Sequence, residues 1–360
     1  MLQKSTSCSV RQSLACVGCV LLIAIASLSI PGATAWAQVK TDQQDVAQSA
    51  SSATPKFRVS ATEIEILDPE LPEPPTGELG FMVLNALCDS GPRVSASEGM
   101  IQQQQMLISH FQNLGATVYQ QPFDVIHPVN RNVVELKNLI VRWHPERRHR
   151  ILLCCHYDTR PFPDRDKENP TGVFLGANDG ASGVGLLCEL GRYIPTLDSE
   201  FGVDFVFFDG EEFVFQSRRD PLFLGSTYFA EQYAARPPAV RYSAGVLVDM
   251  IADKDLTLYL EKNSWKKARA ITKQIWDTAA ELEIKEFISR TKYEIRDDHL
   301  PLNDIARIPT CDIIDFDYPK GRENVYWHTE DDTPDKCSAE SIGKVTHVLL
   351  AWLRKIRSQP

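Results

Sequence analysis

The sequence predicts an α/β protein in which a mixed, mostly parallel central sheet is flanked by helices on both faces. Short apolar runs alternate along the chain with longer segments of helical periodicity, as in strand–helix–strand units. Two of these runs, at 151–155 and 204–208, lack the alternation of polar and apolar residues that marks a half-exposed strand. Continuous apolar runs are typical of strands buried on both faces, as in a parallel sheet.

The pattern gives the order of the elements. Strands are predicted at 117–123, 133–143, 151–156, 203–208, 245–250 and 311–316. Helical periodicity begins near Leu79 and returns at 98–114, and further helices are predicted at 181–193, 225–235, 265–281 and 339–356. No internal repeat and no interior linker interrupts this order, so we expect one domain over residues 57–360.

The N-terminal region has the composition of an export signal. Basic residues precede an apolar run at about 14–30, and small residues then end at Ala37. This order is typical of a secretory signal cleaved after Ala37, and the alternative is a retained membrane anchor. We therefore expect a signal peptide at 1–37 and a flexible Gln- and Ser-rich spacer at 38–56. The mature protein would be exported, periplasmic or secreted, with no membrane segment after cleavage.

Charge and cysteine content narrow the class of protein. The 360 residues carry a formal net charge of −10, which argues against a nucleic-acid partner because nothing would offset phosphate repulsion. Six cysteines follow the signal region, and an even count in an exported protein permits disulfides. Several of them lie in apolar runs, where buried free thiols are equally expected. They are Cys88, Cys154, Cys155, Cys188, Cys311 and Cys337.

Residues that bind metal ions or move protons follow the ends of the predicted strands. They are His156 after the strand at 151–156, Asp179 in the loop before the helix at 181–193, Glu211 and Glu212 after the strand at 203–208, Asp249 in the strand at 245–250, and His328 beyond the strand at 311–316. Ligand crevices of open α/β sheets lie beyond the carboxyl ends of the strands, so these side chains should converge. Carboxylates and imidazoles suit a catalytic Zn²⁺, which would also relieve repulsion between the carboxylates.

The adjacent residues Glu211 and Glu212 can take two different roles. Neighbouring side chains at a strand end point to opposite sides, so one can bind metal while the other faces the substrate as a base. Each candidate alone also has a simpler interpretation. His156 or Asp249 could be a hydrogen-bonded surface residue, and Asp297-Asp298-His299 could cap a helix. Their joint occurrence at successive strand ends favours a metal site.

Five motifs, in order, resemble the M28 metallopeptidase superfamily. They are His156-Tyr157-Asp158, the segment at 176–183, Asp209-Gly210-Glu211-Glu212, Leu247-Val248-Asp249 and Trp327-His328-Thr329. The resemblance covers most of the chain from about Gly91 onward. It implies a phosphorylase/hydrolase-like α/β fold and a zinc catalytic domain over 57–360.

Two branches of that superfamily fit these residues. Resemblance to the two-zinc aminopeptidases implies His156 and Asp249 on one zinc, Glu212 and His328 on the other, Asp179 between them and Glu211 as the base. The glutaminyl-peptide cyclotransferases, or glutaminyl cyclases, hold one zinc, and three segments resemble this branch. They are Asp297-Asp298-His299-Leu300-Pro301, Trp327 directly before His328, and Asp158-Thr159-Arg160-Pro161-Phe162 with Asp164 and Asp166.

The cyclase resemblance implies a reaction and a role for each residue. N-terminal glutamine of peptides or proteins would be cyclised to pyroglutamate with release of ammonia. Asp179, Glu212 and His328 would bind one zinc ion, and His156 would be a neighbour of these ligands. Glu211 would transfer a proton from the attacking amine to the leaving ammonia. Asp249, hydrogen-bonded to Asp297, would stabilise charge on nitrogen, and Trp327 would line the substrate pocket. The alternatives are a two-zinc aminopeptidase and a non-catalytic binding module, which the intact Glu211 disfavours.

Overall fold

The structure is a computed structural model that describes residues 37–38, 65–67, 73–235, 239–321 and 324–357. The signal peptide predicted at 1–37 and the spacer predicted at 38–56 lie outside these ranges, apart from Ala37 and Gln38. The predicted start of the domain at residue 57 also lies outside them. None of the helices in the described ranges has the length and apolar character needed to cross a bilayer.

The main sheet has seven strands within the described ranges, in the order β1-β2-β3-β5-β4-β6-β9. Their bounds are β1 Ala37–Gln38, β2 Thr117–Ile126, β3 Val133–Trp143, β4 His149–His156, β5 Gly202–Phe208, β6 Arg241–Asp249 and β9 Thr310–Ile314. Strands β5, β4, β6 and β9 are parallel to one another, whereas β1, β2 and β3 extend the sheet by antiparallel pairing. The predicted mixed, mostly parallel sheet is confirmed, and each predicted strand is present.

Helices cover both faces of this sheet, as predicted. Their bounds are α1 Glu78–Ser90, α2 Glu98–Asn113, α3 Ala181–Gly191, α4 Leu224–Ala235, α5 Lys262–Lys267, α6 Arg269–Glu281, α7 His299–Asp304 and α8 Ala339–Lys355. Leu153 and Phe205 of the central strands pack in one core with apolar residues of α1, α2, α3, α6 and α8. Leu152 and Val206 point the other way and pack with Phe229 of α4 and Leu302 of α7. Successive side chains of each strand therefore supply two separate cores.

The single helix predicted at 265–281 is interrupted. Ala268 leaves the helical conformation, with φ −129° and ψ 35°, and separates α5 from α6. The side chain of Glu261 caps α5 by accepting the backbone N–H groups of Asn263 and Ser264. The Ser264 hydroxyl then accepts the N–H of Asp312 in β9 at 2.9 Å. These tertiary contacts orient α5 independently of α6, and helical periodicity does not report them.

A short parallel strand pair, β7 Leu258–Leu260 and β8 Phe287–Thr291, was not predicted. Strands of three and five residues are too short to show a period of two. The sequence left open whether the six cysteines after the signal region form disulfides or remain free thiols. All six cysteines after the signal region are buried free thiols, and burial raises the pKa of the Cys88 thiol to about 12.

The parallel strands end level with one another. His156 at the end of β4 lies beside Phe208 at the end of β5, and Asp249 at the end of β6 lies beside Ile314 at the end of β9. The loops that follow these strands therefore leave from one edge of the sheet. This edge carries the candidate site.

Candidate metal centre

One group of potential ligands joins β4, β6 and the loop before α3. The Nε2 atom of His156 lies 3.2 Å from Asp179 Oδ1 and 3.2 Å from Asp249 Oδ1. All three side chains are buried, and they form a group that could hold a metal ion. The structure thus brings together three residues of which the first and the last, His156 and Asp249, are 93 positions apart in the sequence.

A second group shares Asp179. The Nε2 atom of His328 lies 3.3 Å from Asp179 Oδ2 and 3.1 Å from Glu212 Oε1. These three side chains are also buried. Because its two oxygens face the two histidine rings, Asp179 stands between the groups, where the aminopeptidase resemblance places a bridging ligand.

Asp179 is positioned by the backbone on either side of it. Gly180 has φ +103°, and a Cβ at that position would lie 2.9 Å from the carbonyl oxygen of Asp158. Only glycine adopts this conformation without strain. The backbone N–H of Asp179 donates to Asp332 Oδ2 at 3.1 Å, and the N–H of Asn178 donates to Asp332 Oδ1 at 2.8 Å. Asp332, a residue without a predicted role, therefore holds this loop.

The Glu211-Glu212 pair is held by another buried carboxylate. Asp158 accepts the backbone N–H of Glu211 at 3.2 Å and that of Glu212 at 2.9 Å. The hydroxyl of Ser95 donates to the same carboxylate at 3.1 Å. The two glutamates then differ in environment, since Glu212 is buried whereas Glu211 is half-buried. Which of the two binds metal and which faces a substrate stays a prediction.

Electrostatics separate the acids of the site into two kinds. Burial would raise the pKa of Glu212, but His328 and the guanidinium of Arg160 together lower it below the ordinary value. Burial likewise opposes the charge of His328, yet the carboxylates of Glu212, Asp164 and Asp179 raise its pKa to about 10. For Glu211, burial and the carboxylate of Glu212 outweigh the opposing charge of His156 and raise its pKa well above the ordinary value.

The second group fits a zinc ion. Its donor set is two carboxylate oxygens and one imidazole nitrogen, which is the three-ligand set of a catalytic zinc site with an open position. Asp179 Oδ2 is buried and finds no hydrogen-bond partner within the described part of the chain, although His328 Nε2 lies 3.3 Å away. A buried carboxylate oxygen without a hydrogen bond is costly, and a bound cation would satisfy it.

The expected hydrogen bond between Asp249 and Asp297 is not formed among the described residues. Asp249 instead lies against His156, and Asp297 Oδ1 accepts the backbone N–H of Asp298 at 2.6 Å. The two acids remain coupled through charge. Burial and then the carboxylate of Asp249 raise the pKa of Asp297 well above its usual range. The physical reason is that an imidazole N–H can donate to Asp249 whereas a second carboxylate cannot, and His156 Nε2 lies 3.2 Å from Asp249 Oδ1.

Trp327 is half-buried beside the second group. Its ring lies 4.0 Å from the His328 ring, centroid to centroid, at an interplanar angle of 35°. Phe316 packs edge-on against it at 5.1 Å, and the guanidinium of Arg165 lies 4.5 Å from the ring centre. Trp327 therefore covers the imidazole of His328 and leaves only part of its own surface to a substrate.

A third group of buried residues is Glu261, His299 and Asp312. The Nε2 atom of His299 lies 3.5 Å from Glu261, whereas its Nδ1 atom lies 3.5 Å from Asp312. The ring thus stands between the two carboxylates, and its nitrogens face opposite directions. The two carboxylates thus contact different nitrogens of the ring rather than sharing one. Asp298 is the N-cap residue of α7, but its side chain makes no capping hydrogen bond, so the helix-capping interpretation of Asp297-Asp298-His299 holds for position only.

Sequence reasoning also missed two residues next to the ligands. Arg160 pairs with Glu212, and Asp164 lies 3.3 Å from His328 Nδ1. Both belong to the segment that resembles the bacterial cyclases, but no sequence pattern indicates what they contact. Their partners lie 52 and 164 positions away along the chain.

This α/β fold places its groups of potential metal ligands at the carboxyl ends of parallel strands, which is the arrangement of metal-dependent hydrolase folds. The sequence profile of peptidase family M28 matches residues 138–353, which is more than half of the chain. The chain belongs to this family, as its motifs predicted.

Solved structures and curated proteins refine the comparison. The chain is 35% identical to the glutaminyl cyclase of Fimbriiglobus ruber, with a TM-score of 0.74, and the match covers 86% of this chain and 100% of that one. It is 26% identical to the glutaminyl-peptide cyclotransferase of Gloydius blomhoffii over 60% of this chain and 64% of that protein, so it spans less than two thirds of that relative. A structure named a leucine aminopeptidase precursor, from Bacteroides thetaiotaomicron, is 29% identical with a TM-score of 0.71, covering 82% of this chain and 100% of that one.

Proposed function

We propose that this protein is a zinc-dependent glutaminyl-peptide cyclotransferase, which converts N-terminal glutamine of peptides or proteins to pyroglutamate and releases ammonia. The observation that carries the proposal is the match to the Fimbriiglobus ruber glutaminyl cyclase, which extends over that whole chain at 35% identity. The site supports it, because a half-buried carboxyl at Glu211 adjoins a buried set of three potential ligands.

The proposed ligands of a single zinc ion are Asp179, Glu212 and His328. Their donor atoms lie within 4.8 Å of one another. When bound there, zinc would supply Lewis-acid polarisation of the γ-carbonyl group of the substrate. His156 would then remain a neighbour of the site whose Nε2 atom contacts Oδ1 of Asp179 and Oδ1 of Asp249 and holds both side chains in place.

Glu211 is the proposed proton carrier. The α-amine nitrogen of the substrate bonds to its own γ-carbonyl carbon, and the bond from that carbon to the amide nitrogen breaks. Glu211 accepts the proton that the amine loses and delivers it to the departing nitrogen, which leaves as ammonia. No external nucleophile is needed, so the enzyme must chiefly hold the substrate in the conformation that brings amine and carbonyl together.

Asp249 and Asp297 are proposed to stabilise the positive charge that develops on nitrogen during this transfer. Both are buried, and the carboxylate of Asp249 favours a proton on Asp297. A proton on Asp297 then leaves the negative charge on Asp249, so the pair presents net negative charge to the substrate. Trp327 is proposed to line the substrate pocket with the part of its ring that Phe316 and Arg165 leave uncovered.

A second candidate function is a two-zinc aminopeptidase. The specific observation in its favour is the intact His156–Asp179–Asp249 group, in which Asp179 faces both histidines. The structural neighbour named a leucine aminopeptidase precursor is in line with it. Zinc content separates the candidates, since the cyclase would hold one ion per chain and the aminopeptidase two.

The deciding experiment is incubation of purified, zinc-loaded protein with a peptide that begins with glutamine. Release of ammonia with the first peptide bond intact supports the cyclase. Release of free glutamine contradicts it and supports the aminopeptidase. A peptide that begins with leucine serves as the matched control, because only the aminopeptidase would cleave it.

We also propose that the protein is exported after cleavage behind Ala37, to the periplasm or the medium. The composition of residues 1–37 supports this. N-terminal sequencing of protein recovered from a periplasmic or culture fraction tests it, and an N-terminus upstream of the apolar run would contradict it.

A further inference from the structure

We propose that Arg160 and Asp164 are positioning residues that hold the metal ligands Glu212 and His328 in place. They leave each of these two ligands one defined donor atom for the metal. Both lie in the loop that follows β4, and neither belongs to the groups of potential ligands. The inference rests on the proposed function only in taking Asp179, Glu212 and His328 as the metal ligands.

Four side chains form a closed ring of contacts. Arg160 donates to Glu212 Oε2 through one terminal nitrogen, and to Asp164 at 2.9 Å through Nε and 3.2 Å through its other terminal nitrogen. Asp164 Oδ1 lies 3.3 Å from His328 Nδ1, and His328 Nε2 lies 3.1 Å from Glu212 Oε1. The two ligands are thus joined to each other from behind by an arginine–carboxylate pair.

The ring is anchored at two further points. The hydroxyl of Ser217 donates to Asp164 at 2.6 Å, and Arg160 donates to the same hydroxyl at 3.3 Å. The backbone N–H of Arg165 donates to the carbonyl of His328 at 3.1 Å. Arg160 itself is only 7% exposed, so its guanidinium is not a solvated surface charge. A charged pair with this geometry, held on several sides, is worth more than an exposed ion pair.

The ring determines which atoms the ligands can offer. Arg160 occupies Glu212 Oε2, so only Oε1 is left and Glu212 can bind a metal through one oxygen. Asp164 accepts the proton of His328 Nδ1, which leaves the lone pair on Nε2 facing Glu212 and Asp179. A carboxylate behind the imidazole also makes the ring a stronger ligand. Arg160 and Asp164 therefore set both the ligand atoms and the coordination number.

The test measures zinc affinity by competition with a chelator in Arg160→Gln, Asp164→Asn and the double variant. Each single change should weaken zinc binding about 10- to 100-fold, which is the usual cost of removing a group that orients a ligand. The double variant should lose less than the product of the two single losses, because both residues act through one ring. Arg148→Gln and Asp198→Asn, at exposed positions, are the matched controls and should leave the affinity unchanged.

Substitution of cobalt for zinc adds a second measurement, the visible absorption of bound Co²⁺, which a loss of protein stability alone does not change. With Arg160 replaced by glutamine, Glu212 Oε2 is free to join the metal, so the visible absorption of Co²⁺ should weaken as the coordination number rises. Arg160→Lys keeps the charge but not the two-sided contact, and its zinc affinity should fall between those of wild type and Arg160→Gln. Thermal unfolding of each metal-free variant identifies any change that acts on folding alone.

Wild-type zinc affinity and an unchanged cobalt spectrum in folded Arg160→Gln and Asp164→Asn would overturn the inference. This outcome is separate from failure of the proposed function. If the wild type binds zinc and does not cyclise glutaminyl peptides, the affinity losses still test the ring. If it cyclises them and the variants bind zinc normally, only the ring is disproved.

Discussion

Asp332 Oδ2 lies 3.1 Å from the backbone nitrogen of Asp179 and accepts its hydrogen bond, so one buried acid positions the backbone of another. The same carboxylate accepts the N–H of Asn178 at 2.8 Å and the hydroxyl of Tyr318 at 2.8 Å. Burial, followed by the charge of Asp179, raises the pKa of Asp332 to about 7. The loop that carries the ligand shared by both groups depends on this one side chain.

Asp332→Ala should lower the free energy of unfolding by about 2–4 kcal/mol, because two backbone N–H groups and one hydroxyl lose their acceptor in the interior. Urea unfolding of the metal-free protein measures this. Tyr318→Phe removes only one of the three hydrogen bonds and should cost about 1 kcal/mol. Equal stability of Asp332→Ala and wild type would show that Asp179 is held by other contacts.

Glu211→Gln should reduce kcat for a glutaminyl peptide by about 10²- to 10⁴-fold, since the amide cannot carry the proton. Zinc content should stay the same, because Glu211 is not among the proposed ligands. The measurement pairs ammonia release with metal analysis on one sample. A variant that loses its zinc along with its activity would place Glu211 among the ligands instead.

Asp297→Ala should abolish cyclisation, because Asp249 would lose the carboxyl to which it is coupled through charge. A two-zinc aminopeptidase would largely keep its activity. Asp304→Ala on α7 is the control, since that carboxyl is half-exposed and pairs with Lys267. Cyclisation that survives Asp297→Ala while the control behaves as wild type would assign the charge stabilisation to Asp249 alone.

His156→Ala should leave one zinc per chain if Asp179, Glu212 and His328 hold the ion. Metal analysis of wild type and variant gives the comparison, with His347→Ala on α8 as a histidine outside all three groups. A wild type with two ions that falls to one in the variant would establish the second site.

Stability should depend on pH through His110 of α2. Burial lowers the pKa of His110 to about 4, although its contact with the Cys188 carbonyl opposes this. The folded ring therefore stays neutral where the unfolded ring, with an ordinary pKa near 6.5, takes up a proton. Stability present above pH ~6.5 is lost as the pH falls toward ~4, by up to about 3 kcal/mol.

His110→Gln removes this titration and should flatten the fall in stability between pH ~6.5 and ~4. Unfolding free energies at several pH values for wild type and variant give the difference. Asn113→Gln, at an exposed position at the end of the same helix and without an ionisable side chain, should leave the slope as in wild type. Parallel slopes in wild type and His110→Gln would assign the acid sensitivity to other groups.

The sheet and the ligand candidates were predictable because both have local signals. A buried strand shows as a continuous apolar run, and a polar residue directly after it, such as His156 or Asp249, must leave the sheet at its carboxyl edge. Since parallel strands share that edge, convergence follows from the order of elements alone. Glu212 and His328 were found in the same way, through the strand that precedes each of them.

The residues that position the ligands have no such signal. Asp332 contacts Asn178 across 154 positions, and Asp164 lies beside His328 across 164, each from a loop with no periodic pattern. From the sequence alone, a carboxylate in a loop that is exposed to solvent cannot be distinguished from one that is buried against a metal-binding side chain. The expected contact between Asp249 and Asp297 failed for a related reason, because competition from His156 depends on distances that motifs do not contain.

The level ends of β4, β5, β6 and β9 have a consequence for how the chain matures. The proposed ligands come from positions 179, 212 and 328, and they meet only after strands distant in sequence have paired in the order β5-β4-β6-β9. Contacts of such long range form late, so the centre should be among the last features to assemble during folding. Tight zinc binding would then mark chains that have completed the sheet, and an intermediate in which β9 has not paired should bind free zinc far more weakly than the folded protein.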